Sequence, residues 1–361
     1  MRKIPKLRFP EFSGEWEEKK IGDILRINHG KSQHEIEDKN GIYPILGTGG
    51  VIGFTNTPLC NHECVLIGRK GTINKPYYMN TPFWTVDTLF YSTPKENQLP
   101  LFQYYLFQTV NWLKYDESSG VPSLSAKTIE SIPVFVTKEE EQQKIADFLS
   151  TIDSQIETKE EQIENLEEMK KGFMQKIFSK EVRFKDENGN DYPEWEEKKL
   201  GELCNITTGK LDANAMVDGG QFRFYTCAKE YFYINKYAFD TEALLISGNG
   251  AHVGYIHYYK GKFNAYQRTY VLDGFDEDIL YIKYYLDSNL KYRIMREKKE
   301  GNTPYIVMST LTDMCILLPS LPEQQKIANF LSLFDEKIEI EKEILETLKD
   351  IKKGLLQQMF V

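Results

Sequence analysis

Two kinds of residue group in this 361-residue chain could do chemistry: a cysteine–histidine cluster and a set of glycine-bounded polar loops. Cys60-Asn61-His62-Glu63-Cys64 holds potential zinc ligands, but a second ligand pair at zinc-finger spacing is missing, so the sequence does not favour a metal site. The chain also lacks a P-loop and the Asn/Asp-Pro-Pro-Tyr tetrapeptide of amino-methyltransferases. Its five histidines are scattered without a nucleophile partner, so no catalytic site is predicted.

Two polar loops at matching positions carry side chains that suit hydrogen bonding to bases. Residues 63–71 predict a strand followed by the loop Gly68-Arg69-Lys70-Gly71, and residues 242–250 predict its counterpart, which ends in Gly248-Asn249-Gly250. Glycines let a loop backbone approach a partner closely, while Arg pairs with guanine and Asn with adenine. An ordinary surface turn is the alternative interpretation of both loops.

Three further segments pair between the two halves of the chain: 30–34 with 209–212, 85–88 roughly with 266–269, and 119–123 with 301–305. Lys31 and Lys210 suit phosphate contacts. Tyrosines within 231–233 and 255–259 could touch bases, although aromatic residues at strand spacing more often lie in a core. The candidate DNA-binding residues are Lys31, Gln33, His34, Arg69, Lys70, Thr72, Lys75, Ser119, Lys210, Asn249, His252, Gln267, Arg268 and Asn302.

These loops lie inside a tandem repeat with constant edges. The segment 15–24, EWEEKKIGDI, returns as EWEEKKLGEL at 194–203, and EQQKIADFLS at 141–150 returns as EQQKIANFLS at 323–332. The sequences between these edges diverge strongly, and the period is too long for a solenoid. The pattern predicts one scaffold, used twice with approximate two-fold symmetry, that holds two different readers.

The elements that must position these readers include two long helices. Apolar residues follow a 4-3 spacing over 141–178 and again in the second copy, with charged residues at most other positions, which predicts a coiled coil. A 38-residue helix spans roughly 57 Å, so a helix pair could act as a ruler between half-sites one DNA turn apart, roughly 34–36 Å. The predicted seam holds Ile145, Leu149, Ile152, Ile156, Lys159, Ile327, Leu331, Phe334, Ile338 and Glu341.

Polar residues interrupt the seam at equivalent positions in both copies. Lys159 and Glu341 are predicted to face each other near the middle of the pair and to set its register. Lys170 and Lys352 favour an antiparallel pair, because parallel packing would bring these two like charges together. The alternative is that all four side chains extend to water.

The fold class predicted from these patterns is α+β. The predicted boundaries are a first body at 1–137, a first helix at 138–179, a second body at 180–321 and a second helix at 322–361. The net charge of −9 is concentrated in the helices: 138–178 has 6 Lys against 11 acidic residues, and 322–361 has 6 Lys against 8. The bodies are therefore nearly neutral, which is compatible with a local basic face on each.

Bulk composition limits the remaining possibilities. A hydrophobic content of 41% is sufficient for globular cores, while a run of about 18 apolar residues that could cross a membrane is missing. The N-terminal residues lack the apolar stretch of a signal peptide. Five cysteines without framework spacing fit a reducing cytoplasm, so a cytoplasmic location is expected.

The chain closely resembles the specificity subunit of type I restriction–modification enzymes over essentially its whole length. The resemblance depends on the Trp-Glu-Glu-Lys-Lys openings, the Glu-Gln-Gln-Lys-Ile-Ala helix starts, the loop at 69–71 and the Lys-Lys-Gly-Phe/Leu-x-Gln helix ends at 170–175 and 352–357. It implies a non-catalytic DNA reader with two α/β target recognition domains, separated by two long helices that form an antiparallel coiled coil. The implied target is bipartite and asymmetric, with a fixed gap.

The resemblance also implies partners. They are double-stranded DNA, two methyltransferase subunits that use S-adenosylmethionine, and two translocating nuclease subunits that use ATP and Mg2+; this chain itself would bind no cofactor. Ser247–Gly250 lacks the basic residue of the first copy, so equivalent contacts do not transfer to the second body. Two other hypotheses are a modification enzyme that has lost its catalytic part and a coiled-coil scaffold that binds two protein ligands without DNA.

Overall fold

The computed structural model describes residues 3–297 and 304–361, and the chain divides into two compact units. The first unit comprises the chain up to Glu160 together with Glu343–Val361, and the second comprises Glu161–Lys342. Two long helices, α4 and α8, therefore contribute residues to both units. Among the described helices, none is sufficiently long and apolar to cross a membrane.

The first unit is a mixed α/β body followed by the start of α4. Its elements in chain order are β1 (Glu17–Lys20), α1 (Ile21–Ile24), β2 (Leu25–Asn28), β3 (Tyr43–Gly47), β4 (Gly50–Thr55), β5 (Cys64–Gly68), β6 (Tyr77–Met79), β7 (Trp84–Thr85), β8 (Leu89–Pro94), α2 (Pro100–Thr109), a 3-10 turn (Trp112–Tyr115), α3 (Ala126–Ser131), β9 (Pro133–Val136) and α4 (Glu139–Phe178).

Two sheets form the centre of this body. One has the strand order β2-β8-β5-β6, and the other has the order β4-β3-β7. All five residues of β5 are buried, because this strand is covered on both faces. The glycines at 47–53 form the turn and the edge strand of the β3–β4 hairpin.

The second unit repeats this plan with two longer strands, β14 and β15. Its further elements are β10 (Glu196–Lys199), α5 (Leu200–Leu203), β11 (Asn205–Thr208), a 3-10 turn (Ala213–Ala215), β12 (Phe222–Tyr225), β13 (Phe232–Ile234), β14 (Phe239–Ser247), β15 (Ile256–Ala265), β16 (Thr269–Asp273), α6 (Ile279–Glu297), α7 (Met308–Thr312), β17 (Cys315–Leu318) and α8 (Leu321–Met359).

Here one six-stranded sheet has the order β11-β16-β14-β15-β12-β13. The long strand β15 pairs antiparallel with β14 over eight residues and parallel with β12 at its end. In the first unit the equivalent stretch is divided into β6 and β7, which lie in different sheets. The single sheet of the second unit therefore corresponds to the two sheets of the first.

In each body, the strand formed by the repeated Trp-Glu-Glu-Lys-Lys sequence pairs with the last strand of that body. In the first body β1 pairs antiparallel with β9, with Glu17 opposite Val136; in the second body β10 pairs with β17, with Glu196 opposite Leu318. The tryptophan just before each strand is buried in the core. The repeated sequence therefore has the same structural function in both bodies. It forms one strand of a two-stranded sheet, here named the clasp, and the second strand of the clasp leads into the long helix.

Each helix start is anchored by a buried glutamate. Glu141 accepts hydrogen bonds from Arg8 Nε at 2.7 Å and Nη2 at 2.8 Å, and Glu323 accepts from Arg183 Nη2 at 2.9 Å. The pKa of both guanidinium groups is raised, chiefly by these hydrogen bonds to the carboxylates. A charge-assisted bond of this kind is about twice as strong as a neutral one, so the Glu-Gln-Gln sequence is a structural anchor.

The long helices meet in an antiparallel direction within each unit. In the first unit Lys352 Nζ lies 2.5 Å from Asp153 Oδ1 and Lys349 Nζ lies 3.0 Å from Glu160 Oε1. Lower numbers on α4 thus pair with higher numbers on α8. The second unit shows the same relation, with ion pairs Lys170–Asp335 and Lys342–Glu167.

The predicted seam residues differ in their surroundings. Ile145 and Leu149 are fully buried members of the first body's core, and Ile327 and Leu331 are the equivalent members of the second core. Ile338 is also buried, while Ile152, Ile156, Lys159, Phe334 and Glu341 are partly buried. The first two seam positions of each helix are therefore part of a body as well as of the helix.

Candidate nucleic-acid interface

Four segments of the first body converge at one edge of its sheets; we name them the first reader loops, and they comprise residues 28–34, 69–71, 85–88 and 117–125. Lys31 N–H donates to the Thr85 carbonyl at 2.8 Å, and Trp84 Nε1–H donates to the Lys31 carbonyl at 2.9 Å. A Cβ on Gly30 would lie 2.0 Å from the Val86 carbonyl oxygen. Only glycine fits at this close approach of two backbones.

The Arg69 loop lies between two other segments of this set. Arg69 N–H donates to the Thr88 carbonyl, and Gly71 N–H donates to the Pro122 carbonyl, both at 2.8 Å. Lys70 forms an isolated bridge with Ser123, and Gly71 has a φ of +93°, a conformation that favours glycine. The strand and the glycine-bounded loop predicted at 63–71 are confirmed: β5 ends at Gly68, and the loop follows it.

A cavity of about 680 Å³ lies among these loops. It contains the cations Arg69, Lys70 and Lys127 together with the acids Asp87 and Glu117. Arg69 Nη1 lies 3.8 Å from Asp87 Oδ2, and its side chain is exposed. The cavity is therefore polar and of mixed sign, and a protein–DNA contact here would depend on positioned donors as well as on net charge.

Two carboxylates that sequence reasoning did not single out hold the 117–125 loop in place. Asp116 Oδ1 accepts the backbone N–H groups of Ser123 at 2.9 Å and Ser118 at 3.0 Å, which lowers the pKa of this carboxyl. Glu117 accepts from the hydroxyls of Thr128 and Ser125, which likewise lowers its pKa. An Asp two residues before a Ser is a common turn signal that could have identified the first of them.

The second body brings its own candidates together in the same manner. The second reader loops are residues 207–212, 247–250, 265–268 and 304–306. Gly248 N–H donates to the Arg268 carbonyl at 2.9 Å, and Gln267 N–H donates to the Leu211 carbonyl at 2.9 Å. Asn249 forms an isolated bridge with Tyr305. Asn249, Gln267 and Arg268 thus line one cavity of about 180 Å³.

The two sets of reader loops are related residue by residue. Gly209 packs on the backbone of residues 265–266 as Gly30 packs on that of residues 85–86, and in each body an added Cβ would lie 2.0 Å from a carbonyl oxygen. The bond from Gly248 to Arg268 repeats the bond from Arg69 to Thr88. The structure therefore matches 85–88 with 265–268, one residue earlier than the approximate sequence pairing. Lys210, next to Gly209, is exposed as Lys31 is.

Of the remaining candidates, Gln33, His34 and Ser119 belong to the first reader loops, and Thr72, Lys75 and His252 lie outside both sets. Gln33 and His34 begin a turn in which the Gln33 carbonyl accepts from Ile36 and Glu37, and His34 is exposed. His252 lies on a turn that lines a separate cavity of about 610 Å³ beside α6. Thr72, Lys75 and Ser119 lie on loops, and the last two are exposed. Asn302 lies outside the described residues.

Of the five tyrosines that the sequence singled out at 231–233 and 255–259, four are exposed rather than core. Tyr231, Tyr233, Tyr255 and Tyr258 are each more than one-third exposed, while Tyr259 is partly buried. Core packing, the commoner role of aromatics at strand spacing, therefore does not account for four of these five side chains. The rings of Tyr231 and Tyr259 contact the guanidinium group of Arg223, a residue that sequence reasoning did not single out.

The cysteine–histidine cluster lies apart from the reader loops, in a small core. Cys60 Sγ lies 4.0 Å from Cys64 Sγ and 3.5 Å from His62 Nδ1. The thiol hydrogen bond lowers the pKa of Cys60 to about 6 and raises that of Cys64. Within 3–297 and 304–361, no group of three or more His, Cys, Asp or Glu residues has an arrangement that could hold a metal ion.

Two bodies with the same clasp and anchor, different loops at the sheet edge and a common pair of long helices define a tandem-repeat protein. The family described as "Type I restriction modification DNA specificity domain" matches this chain twice, at residues 13–168 and 192–350. The chain belongs to this family of type I restriction–modification specificity subunits.

Similar proteins agree with this membership. The EcoDI specificity subunit of Escherichia coli is 41% identical over 164 residues, which cover 45% of this chain and 36% of that protein. The MjaVIII specificity subunit of Methanocaldococcus jannaschii is 27% identical over 97% of this chain and 92% of its own length. The crystal structure of a type I S subunit from M. genitalium shares the fold, with a TM-score of 0.71, 18% identity and 99% of both chains covered.

Proposed function

We propose that this chain is the non-catalytic DNA-specificity subunit of a type I restriction–modification complex in the cytoplasm. Each body would read one half of a bipartite, asymmetric DNA target. The observation that carries the proposal is the repeated convergence of four reader loops, with Arg69 and Lys70 in one body replaced by Gly248 and Asn249 in the other. The same scaffold with different donors is what reading two different half-sites requires.

The helix pair would fix the gap between the half-sites as an antiparallel coiled coil. The ion pairs Lys352–Asp153 and Lys170–Asp335 support this function, because each lies across the two helices within its own unit. The side chains of both lysines are less than one-fifth exposed, and each lies beside a carboxylate rather than extending to water. Paired polar residues at a seam specify register and direction.

Partners follow from the internal repeat. A scaffold with approximate two-fold symmetry offers the same surface twice, which suits two copies of one partner. We expect these to be two methyltransferase subunits, which use S-adenosylmethionine, joined by two restriction subunits that use ATP and Mg2+. In this arrangement the present chain supplies DNA sequence recognition and binds none of these cofactors itself.

The test is co-expression of the full chain with its methyltransferase subunit in a host free of DNA methylation, followed by genome-wide sequencing of modified bases. A single two-part motif with a fixed gap is the expected result. An intact complex that modifies no motif, and whose DNA binding does not weaken as salt rises, would contradict the proposal and support a protein scaffold instead. Binding of S-adenosylmethionine by the isolated chain would contradict the non-catalytic assignment.

A further inference from the structure

Arg223 on β12 lies over the rings of two tyrosines. Its guanidinium carbon lies 4.2 Å from the ring centroid of Tyr231 and 4.5 Å from that of Tyr259. Nη1 donates to the Tyr225 hydroxyl at 3.4 Å. Contact with two aromatic rings and one hydroxyl restricts the side chain and leaves Nε and Nη2 as its remaining donors.

The charge of Arg223 has no carboxylate partner within ion-pair distance among residues 3–297 and 304–361, and its Nε and Nη2 donate to none of those residues. Arg8 and Arg183 differ in this respect, because each donates to a buried glutamate and to backbone carbonyls. The donor groups of Arg8 and Arg183 are therefore used in hydrogen bonds within the protein. Arg223 is preorganised by its neighbours and keeps two donor groups for a ligand.

The strand that carries Arg223 is joined to the second reader loops. Tyr266 N–H donates to the Tyr225 carbonyl at 2.9 Å, and the Cys227 thiol donates to the Arg268 carbonyl at 3.4 Å. The β12–β13 hairpin therefore lies directly beside the segment 265–268. A ligand that contacts these reader loops would also meet the hairpin.

The equivalent hairpin of the first body has a different character. Val86 N–H donates to the Leu46 carbonyl at 3.1 Å, which repeats the bond from Tyr266 to Tyr225 and places Pro44 at the position of Arg223. Phe54 pairs with Pro44 as Tyr233 pairs with Arg223. Ile52 and Phe54 are 51% and 44% exposed. The hairpin thus displays apolar side chains in one body and a stacked arginine in the other.

We infer that Arg223 is a DNA-contacting residue of the second body and that the β12–β13 hairpin belongs to its reading surface. This inference rests on the proposed function of the chain. Nε and Nη2 form a planar pair of donors that matches either the O6 and N7 acceptors of guanine or the oxygens of a phosphate group. Tyr231 and Tyr259 are positioning residues, which keep the donor plane fixed before DNA arrives.

The experiment uses the complete chain in complex with its methyltransferase subunit and compares Arg223→Gln with the wild type. A guanine contact predicts a methylation motif that is relaxed at one position, within the half-site read by the second body. A phosphate contact predicts an unchanged motif, about 10-fold weaker binding of the wild-type target and a salt dependence reduced by about one charge. Either result supports the inference and identifies the group that Arg223 contacts.

Lys262→Gln is the matched control, since Lys262 is also a cation over a tyrosine ring, 4.8 Å from the Tyr237 centroid, but has Asp240 nearby at 4.0 Å. We expect it to leave the motif and affinity unchanged. Tyr231→Ala should weaken DNA binding in the same direction as Arg223→Gln, while Tyr231→Phe should retain it. These two variants also test the inference if Arg223→Gln does not fold.

Failure of the inference is distinguishable from failure of the proposed function. If the wild-type complex methylates a bipartite motif and Arg223→Gln, folded with the same Tm, shows the same motif, affinity and salt dependence, Arg223 is not a DNA contact. If the wild-type complex itself neither methylates such a motif nor binds DNA in a salt-dependent manner, the proposed function is wrong, and the inference falls with it.

Discussion

Lys170 and Asp335 form an ion pair in the second unit, with Nζ 2.5 Å from Oδ1. Asp335 also accepts a hydrogen bond from the Tyr284 hydroxyl at 2.7 Å, so three elements meet at this carboxylate: α4, α6 and α8. In the first unit Asp153 accepts from Lys352 and from Tyr105 in the same way. Each body is thereby attached to both long helices through one aspartate.

Replacement of Asp335 should weaken the attachment of the second body to the two long helices. We expect Asp335→Asn to lower the free energy of unfolding by about 1–3 kcal/mol, because it removes a charged hydrogen-bond acceptor and leaves the largely buried Lys170 without its counter-charge. Urea denaturation of the full chain measures the change. The matched control is Glu160→Gln, which breaks the exposed pair with Lys349 and should cost less than about 0.5 kcal/mol. Equal effects of the two variants would contradict a special role for Asp335.

The glycine at the base of the first reader loops should tolerate no side chain. Gly30→Ala would place a methyl group 2.0 Å from the Val86 carbonyl oxygen, so the two backbones must separate. We expect a loss of about 1–3 kcal/mol in unfolding free energy. Gly120→Ala, in another of these loops, meets no atom within 4 Å and should be neutral. Thermal unfolding tests both, and a neutral Gly30→Ala would show that the loop contact is dispensable.

The two bodies should be exchangeable as modules. Replacing residues 180–321 with those of another family member should change one half of the methylated motif and leave the other half as it was. The physical reason is that the reader loops of each body are held by hydrogen bonds within that body. Sequencing of modified bases in cells that carry the hybrid gives the result. A change in both half-sites would refute modular reading.

An added heptad in one long helix should disturb assembly or the gap of the target. Seven residues inserted into α4 after Glu160 would lengthen α4 by about 10 Å, at 1.5 Å per residue, while α8 remained unchanged. The ion pairs Lys352–Asp153 and Lys170–Asp335 could then not both form in register. Mass measurement of the complex and the methylated motif report the two effects. A variant that assembles normally and methylates a motif with the original gap would dismiss the function of the helix pair as a ruler.

Much of the architecture was predictable because it depends on local patterns. The helix predicted over 141–178 spans Glu139–Phe178, since a sustained heptad pattern with charged outer positions has few alternative structures. The Glu-Gln-Gln and Trp-Glu-Glu-Lys-Lys sequences occur twice because each performs one packing task in each body: the anchor with Arg8 or Arg183, and the clasp with β9 or β17. The predicted pairing of Lys159 with Glu341 stays a prediction.

The surface that we propose to contact DNA was predictable only in part. Glycine-bounded loops after buried strands suggested Arg69 and Asn249 as candidates, because turn chemistry is visible in sequence. Arg223 was not identified, since it lies within a strand and its importance depends on two tyrosines that are 8 and 36 residues away along the chain. The sequence paired 85–88 roughly with 266–269, whereas the structure matches it with 265–268. The difference of one residue arises because the loops between equivalent strands differ in length.

The sequence by itself determined that one scaffold is used twice, where its helices run and which of its loops are polar, because repeats, heptads and turn residues act over short distances. Only the tertiary structure decided which loops meet at one edge, which lysine faces which aspartate, and that the hairpin beside the reader loops is apolar in one body and holds a stacked arginine in the other. Those relationships depend on strand order and on side chains from distant segments, and neither is encoded in local spacing.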